Sequence, residues 1–157
     1  MLTPLPFLFI YLLLTILLVR SDILHGLLPD KLVCPLLWLG LLYHLCIKPD
    51  DLSDAVTGAM AGYLGFAAIY WGYRLARKRE GMGYGDVKYF AALGAWHGVC
   101  ILPVLALTAA LTAMSYLAIR KLVLRDNYAF KNPLPFGPFL AAAGLCASWQ
   151  EVINLPL

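Results

Sequence analysis

The feature that most constrains the fold is the stretch 89–119, in which 31 consecutive residues include no Asp, Glu, Lys or Arg. A helix needs about 20 apolar residues to cross the hydrocarbon core of a bilayer. The stretch is therefore too long for one straight span and too short for two full ones. A break within 94–98 would divide it into two helices, and the charges that flank it distinguish the two arrangements.

Composition places the whole chain among membrane proteins. Its residues are 62% hydrophobic and 13% charged, with a mean hydropathy of +0.77, whereas soluble domains have about 25% charged residues. A chain of 157 residues has no room for a second fold beside its helices, so we expect a single all-α, polytopic membrane domain, 1–157. Its net charge of +3 includes no basic tract with interleaved aromatics, and we expect no nucleic-acid partner.

Apolar runs between short polar segments predict the other helices. The first run, Thr3 to Val19, lacks a basic start and a small-x-small cleavage site, so we interpret it as a retained helix rather than a signal peptide. In the third run, glycines with helical spacing predict a close approach between helix backbones. These glycines are Gly58, Gly62 and Gly65. The remaining runs are Leu32 to Ile47, Ala55 to Tyr73, the two parts of 89–119, and approximately 135–149.

Basic residues favour the arrangement with a break. If the stretch 89–119 turns back on itself, the polar loops 20–31, 74–88 and 120–131 all lie on one side of the membrane. These loops contain 11 of the 12 Lys and Arg residues, which leaves only Lys48 on the other side. Because Lys and Arg concentrate in cytoplasmic loops, we predict about six transmembrane helices, with both termini outside and these three loops in the cytoplasm.

This topology brings two aspartates to the same face. Asp22 ends the first helix and Asp86 begins the fourth, at the same depth although 64 residues separate them in the sequence. Asp86 follows three glycines in the segment GMGYGDVKYF, residues 81–90. An ionisable group at the edge of the membrane interior is costly to bury, so by default it indicates a functional site.

Paired aspartates of this kind are typical of aspartic proteases. Two carboxylates a few ångströms apart cannot both ionise, so one stays protonated near neutral pH. The ionised partner takes a proton from the attacking water, and the protonated partner polarises the scissile carbonyl. Because such a pair titrates as a unit, neither role is assigned to one residue. Gly83 and Gly85 leave room for a substrate backbone beside Asp86.

Three motifs resemble those of the type IV prepilin peptidase family, a group of GxGD-type intramembrane aspartyl proteases. GYGDVK at 83–88 is similar to the GxGDxK motif. Asp22, followed by six residues and then Pro29-Asp30, resembles the D-x6-P-[DN] motif, and PFGPFL at 135–140 resembles the PFGP segment near the C-terminus. The motifs occur in the order of the family and cover the chain from about Arg20 to Leu145.

The resemblance implies that Asp22 and Asp86 are the catalytic pair of an aspartic endopeptidase. The family removes the short basic leader from type IV prepilins and type II secretion pseudopilins, at the cytoplasmic face of the bacterial inner membrane. We therefore expect such substrates and membrane lipid as partners, and no cofactor. Substrate contacts are expected at six further motif residues, namely Gly83, Gly85, Lys88, Pro135, Phe136 and Gly137.

One departure from the family concerns methylation. Full-length members usually have an N-terminal extension with cysteine pairs, and they also N-methylate the new terminus. This chain begins directly at the helix that leads to Asp22, and its cysteines are scattered in apolar runs without a CxxC pair. We therefore expect peptidase activity without methyltransferase activity, and we interpret the cysteines as small packing residues.

Structural roles are the alternatives for several of these residues. Asp86 could be the N-cap of the fourth helix, and Asp30 is interpreted as the N-cap of the second, after a turn at Pro29. Lys88 and Lys131 could contribute only to the topology signal. His25, His44 and His97 lack metal-ligand spacing, so no metal site is expected.

Two other functions remain open at the level of sequence. A small transporter or channel subunit would also use intramembrane acids and glycine-rich helices. A GxGD protease of the presenilin or signal-peptide-peptidase type would share the motif at Asp86. However, the chain lacks the PAL motif of that group.

Overall fold

The computed structural model describes residues 4–77, 83–123 and 134–153. Within these ranges the chain forms helices and connecting turns, with no strand. The elements are α1 Leu5–His25, α2 Asp30–Ile47, α3 Leu52–Arg77, α4 Tyr84–His97, α5 Leu102–Val123 and α6 Gly137–Ile153, with one 3₁₀ turn at Pro49–Asp51 between α2 and α3. The predicted all-α fold is confirmed.

Four segments are long and apolar enough to cross a membrane, namely Leu5–His25, Asp30–Ile47, Pro49–Ala76 and Leu102–Leu122. The apolar part of α6, Gly137–Ser148, is shorter. Helix α4 has only 14 residues and rises about 21 Å. All of its residues from Tyr89 to His97 are buried, because it packs mainly against α3 and α2 in the middle of the bundle. The fold is that of a multi-pass membrane protein.

The predicted break in the uncharged stretch is confirmed. Helix α4 ends at His97 and α5 begins at Leu102. Gly98 between them has φ +74°, a conformation that glycine adopts without the steric penalty of a Cβ. A Cβ at this position would also collide with the carboxylate of Asp54. Glycine therefore allows the chain to turn here, next to the start of α3.

Two of the three predicted contact glycines pack as expected. A Cβ on Gly58 would collide with the backbone of Gly94, and one on Gly62 would lie 3.0 Å from the carbonyl oxygen of Phe90. Close approach of this kind is how small residues bring membrane helices together. Gly65 has no atom within 4 Å of its Cβ position, so its predicted role is wrong.

The helices extend beyond the apolar runs that predicted them. Helix α1 continues past Arg20 to His25 and ends at Gly26, whose φ is +62°. Asp22 therefore lies within the helix, one turn before its end, and not at the end itself. The apolar runs underestimate the lengths of the helices, because a helix can continue through charged residues at the edge of the membrane.

The four cysteines are free and lie on the outside of the bundle. Their exposure shows that they are not packed inside the bundle, so the packing role predicted for them is not seen among the described helices. Cys34, Cys46 and Cys146 lie on helices whose outward faces are apolar, so a weakly polar thiol is accepted there.

Candidate active site

Asp22 lies on the inward face of α1. The buried residues of this helix are Tyr11, Thr15, Leu18 and Asp22, at the intervals of three and four that define one side of a helix. Asp22 itself is 5% exposed. The same periodicity that buries an apolar stripe therefore directs this carboxylate into the bundle rather than toward the surroundings.

Asp86 lies in the first turn of α4 and is 6% exposed. The helix begins at Tyr84 with Gly83 as its N-cap, so the alternative in which Asp86 caps the helix is wrong. The carboxylate instead lies over the first turn, and one of its oxygens is 3.4 Å from the Cβ position of Gly83. The positive end of the helix dipole is there and favours a negative charge.

The start of α6 orients Asp22. The backbone N–H of Gly137 donates a hydrogen bond of 2.8 Å to Oδ2 of Asp22. A Cβ on Gly137 would lie 2.7 Å from the same oxygen, so only glycine allows this approach. The carbonyl of Phe136 accepts the N–H groups of Phe139 and Leu140 and thereby starts the helix. The PFGP motif thus provides the backbone N–H that binds the carboxylate of Asp22, which belongs to a different motif.

The structure brings the two aspartates together. The two residues come from different helices, α1 and α4, and are 64 positions apart in the sequence. Both carboxylates are almost fully enclosed at the end of the bundle formed by the C-terminus of α1 and the N-termini of α4 and α6. Two buried carboxyl groups with one backbone donor form an arrangement that can share a proton and act as acid and base.

The glycines of the GYGD segment have different surroundings. A Cβ on Gly85 would lie 2.8 Å from the Cβ of Leu28, so this glycine lets the connection between α1 and α2 pack against α4. Gly83 is exposed and is open to an incoming chain. Pro135 and Phe136 are partly exposed. The predicted substrate contacts at these residues stay predictions.

Lys88 pairs with Asp30. Its Nζ lies 2.8 Å from both carboxylate oxygens of Asp30, which connects the first turn of α4 to the first turn of α2. The interpretation of Asp30 as a helix cap is wrong, because Pro29 is the N-cap and no side chain caps the helix. The predicted substrate contact at Lys88 stays a prediction, while Lys131 lies outside the described residues.

Sequence reasoning missed two buried hydroxyl groups on α1 and α4, the helices that carry the two aspartates. Thr15 is 1% exposed and Tyr89 is 0% exposed. Their side chains are neighbours between α1 and α4, but neither hydroxyl has a partner with hydrogen-bond geometry among the described residues. Thr15 is seven residues before Asp22 and Tyr89 is three after Asp86, so helical spacing from each aspartate was the available signal.

Within the described ranges, no three His, Cys, Asp or Glu side chains are grouped in a way that could hold a metal ion. His44 and His97 are buried. His44 uses Nδ1 to contact the carbonyl of Gly40 at 2.9 Å, and His97 contacts the hydroxyl of Ser148 at 3.5 Å. The absence of a cofactor stays a prediction.

The fold and the site define a class: a multi-pass membrane protein with a carboxylate pair enclosed at one end of a helical bundle. Comparison with known proteins identifies the family. Residues 8–118 match the type IV leader peptidase family, and the chain belongs to this family. The peptidase class that its motifs predicted is thereby confirmed, and the transporter or channel alternative is not favoured.

Individual relatives cover nearly the whole chain. It is 53% identical to leader peptidase HopD of Escherichia coli, over 95% of this chain and 96% of that protein. It is 54% identical to leader peptidase HopD of Salmonella typhimurium, over 96% of each chain. A prepilin leader peptidase/N-methyltransferase of Aeromonas hydrophila is 48% identical over 82% of this chain, but over only 44% of its own length. No solved structure matched the chain.

Proposed function

We propose that this protein cleaves the short basic leader peptide from type IV prepilins or pseudopilins, with Asp22 and Asp86 as the catalytic pair. The observation that carries the proposal is the burial of both carboxylates at the same end of the bundle, one from each of two family motifs. The third motif contributes the N–H of Gly137, which orients Asp22. Each of the three motifs thus has a physical part in one site.

The reaction needs one carboxylate and one carboxylic acid. The ionised aspartate removes a proton from water while the water oxygen bonds to the scissile carbonyl carbon. The protonated aspartate donates its proton to the carbonyl oxygen, which gives a tetrahedral intermediate. When the C–N bond breaks, the proton taken from water passes to the leaving amine, and one hydroxyl of the intermediate returns its proton to the other aspartate, which restores the pair and leaves a carboxylic acid. The pair acts as a unit, so both residues share these roles.

An extended peptide next to the pair would contact the exposed Gly83 and the partly exposed Pro135 and Phe136. Gly85 and Gly137 shape the same site, although their nearest neighbours are Leu28 and Asp22. The absence of side chains at the glycines lets a substrate backbone approach the carboxylates closely.

The site would face the cytoplasm from the bacterial inner membrane. The polar segments 20–31, 74–88 and 120–131 connect α1 to α2, α3 to α4 and α5 to α6 along the chain, and they contain 11 of the 12 Lys and Arg residues. This charge distribution supports a cytoplasmic position. A basic leader that emerges from the membrane would reach the carboxylates from that side, and the segment 1–157 would act as one domain.

No methyltransferase activity is part of the proposal. The two relatives covered over 96% of their length are named leader peptidases. The relative whose name includes N-methyltransferase is matched over only 44% of its length. The cysteines described here are scattered on the outside of the bundle, unlike the paired cysteines expected of the methylating members.

The test uses purified protein in detergent and a synthetic peptide with a basic leader, a glycine and a hydrophobic stretch. Mass spectrometry should detect loss of the leader with the wild type but not with Asp22→Asn or Asp86→Asn. Half of the samples contain S-adenosylmethionine, and no methyl mass should be added. Each substitution removes one ionisable group while it keeps the shape of the side chain.

Asp51→Asn is the matched control, because Asp51 is an exposed aspartate in the 3₁₀ turn. It should cleave like the wild type. Near wild-type cleavage by either dyad variant would show that the catalytic assignment is wrong. An added methyl mass would overturn the expectation about methylation.

A further inference from the structure

We propose that Asp30 and Lys88 are positioning residues, which clamp the first turn of α4 to α2 and thereby hold Asp86 toward Asp22. The inference rests on the proposed function, since it assigns a role in the same reaction. Neither residue contacts the carboxylate pair in the described structure. Their effect would pass through the backbone of α4, on which Lys88 lies two residues after Asp86.

The ion pair between Lys88 and Asp30 uses both oxygens of the carboxylate. Lys88 Nζ lies 2.8 Å from both oxygens of Asp30, so one ammonium group contacts the whole carboxylate. Lys88 is 33% exposed and Asp30 is 59% exposed. Ordinary exposed pairs contribute little to stability. This pair joins residues 58 positions apart, so it connects two helices rather than neighbouring turns.

A second set of contacts connects the start of α4 to α3. The hydroxyl of Tyr84, the first residue of α4, hydrogen-bonds the hydroxyl of Tyr63 on α3. The ring of Tyr84 packs edge-on against Tyr70, with 5.3 Å between ring centres. Lys88 Nζ lies 5.4 Å from the centre of the Tyr84 ring, a cation–π arrangement. The ion pair therefore belongs to a clamp between α2 and α3.

The direction of the side chains explains what the clamp does. Two residues along a helix differ by about 160° around its axis, so Lys88 and Asp86 lie on nearly opposite sides of α4. Lys88 meets α2 on its side, while Asp86 is buried on the other side, at the end of the bundle where Asp22 is also buried. Rotation of the first turn that broke the ion pair would also turn Asp86 away from Asp22.

This turn depends on such contacts because no side chain caps α4. A catalytic group must stay within about 0.5 Å of its productive position, and small misplacements reduce rates strongly. The ion pair supplies a restraint at the end of a short helix, next to the residue that needs it.

The first experiment measures kcat and KM for cleavage by Lys88→Gln, Asp30→Asn and the charge swap that combines Asp30→Lys with Lys88→Asp. Each single change should lower kcat about fivefold and leave KM unchanged, as expected when one interhelical ion pair is lost. The swap should recover most of the loss. Lys31→Gln is the matched control, since Lys31 lies next to Asp30 in the same turn of α2, and it should behave like the wild type.

The second experiment follows amide hydrogen exchange in residues 84–90 and requires no substrate. Exchange should be faster in Lys88→Gln and Asp30→Asn, return toward the wild-type rate in the swap, and remain unchanged in Lys31→Gln. If the wild type fails to cleave the prepilin peptide, the proposed function fails, and hydrogen exchange alone then decides on the clamp. Wild-type exchange in both single variants would overturn it. A raised KM in Lys88→Gln with unchanged hydrogen exchange would also overturn the proposed clamp, because it would indicate that Lys88 contacts the substrate.

Discussion

Gly137 shows how little space separates Asp22 from the end of α6. Its N–H donates a hydrogen bond of 2.8 Å to Oδ2 of the carboxylate. Only glycine, which has no Cβ, can bring its N–H this close. The glycine is therefore part of the geometry of the dyad, because any Cβ displaces either the carboxylate or the helix that carries the donor.

Gly137→Ala should reduce kcat by about 100-fold, which is the scale of loss for displacement of a catalytic group by about 1 Å. The protein should still insert into the membrane, since the clash lies at the end of the bundle. Peptide cleavage and thermal unfolding in detergent would be measured together. Gly65→Ala is the control, because its Cβ position has no neighbour within 4 Å. Unchanged cleavage by Gly137→Ala would show that Asp22 does not need this donor.

Sequence predicted the identity of the two acidic residues better than their surroundings. Asp22 and Asp86 were singled out by residue type, spacing, charge topology and the resemblance of their motifs to those of the family, and both are buried at the same end of the bundle. The hydrogen bond from Gly137 depends on the entry angle of α6, which no local pattern indicates. Thr15 and Tyr89 were also missed, because a single hydroxyl in an apolar run does not stand out in the sequence, and only the packing reveals that both are buried.

At the scale of helices, α3 and α4 form the closest contact of the bundle. Gly58 and Gly94 face each other with backbone against backbone, and one turn along, Gly62 lies against Phe90. The rings of Phe66 and Phe90 then pack edge-on, with 4.0 Å between their centres. This interface fixes the axis of α4 and so the depth at which Asp86 lies.

Gly58→Ala should destabilise the protein by about 2 kcal/mol, since extra volume in a packed interface forces backbones apart. The expected readout is a lower thermal midpoint in detergent. Gly65→Ala on the same helix provides the comparison and should be neutral or slightly stabilising, because alanine is a better helix former than glycine. Equal midpoints for the two variants would contradict the close approach of α3 and α4.

The existence and order of the helices could be predicted because hydropathy reports directly on membrane spans. The break was predicted from the length of the uncharged stretch together with the charges that flank it, and it begins at Gly98, the last residue of the predicted segment 94–98. Helix ends were less predictable, since α1 and α3 continue through charged residues at the membrane edge. The predicted contact at Gly65 was wrong. The spacing of the glycines indicates which face of α3 they share, but it does not indicate where the helix packed against that face ends.

At the scale of the whole molecule, the site is assembled from three segments that are far apart in sequence. Asp22, Asp86 and Gly137 meet because α1 ends where α4 and α6 begin. The charge distribution predicted that these ends share one side. It could not predict which side chains touch, and the pair of Lys88 with Asp30 illustrates this. Both residues were known motif members, but their contact required the packing of α2 against α4.

The orientation of the bundle gives the last prediction. If the carboxylate pair faces the cytoplasm, the connection between α1 and α2 lies inside the cell and the 3₁₀ turn lies outside. Leu27 and Asp50 are exposed in these two places. In a background with the four native cysteines replaced by serine, a membrane-impermeant maleimide should label Asp50→Cys in intact cells. It should label Leu27→Cys only after permeabilisation.

The two variants control for each other, because both place one exposed thiol in a short connection and differ only in the side of the membrane. The positive-inside rule requires this outcome, since Lys48 is the only basic residue of the outer connections, while 11 Lys and Arg lie in the inner loops. Labelling of Leu27→Cys in intact cells would show that the bundle has the opposite orientation in the membrane. A basic leader that remains in the cytoplasm could then not reach Asp22 and Asp86, and the proposed cleavage reaction would fail on geometry alone.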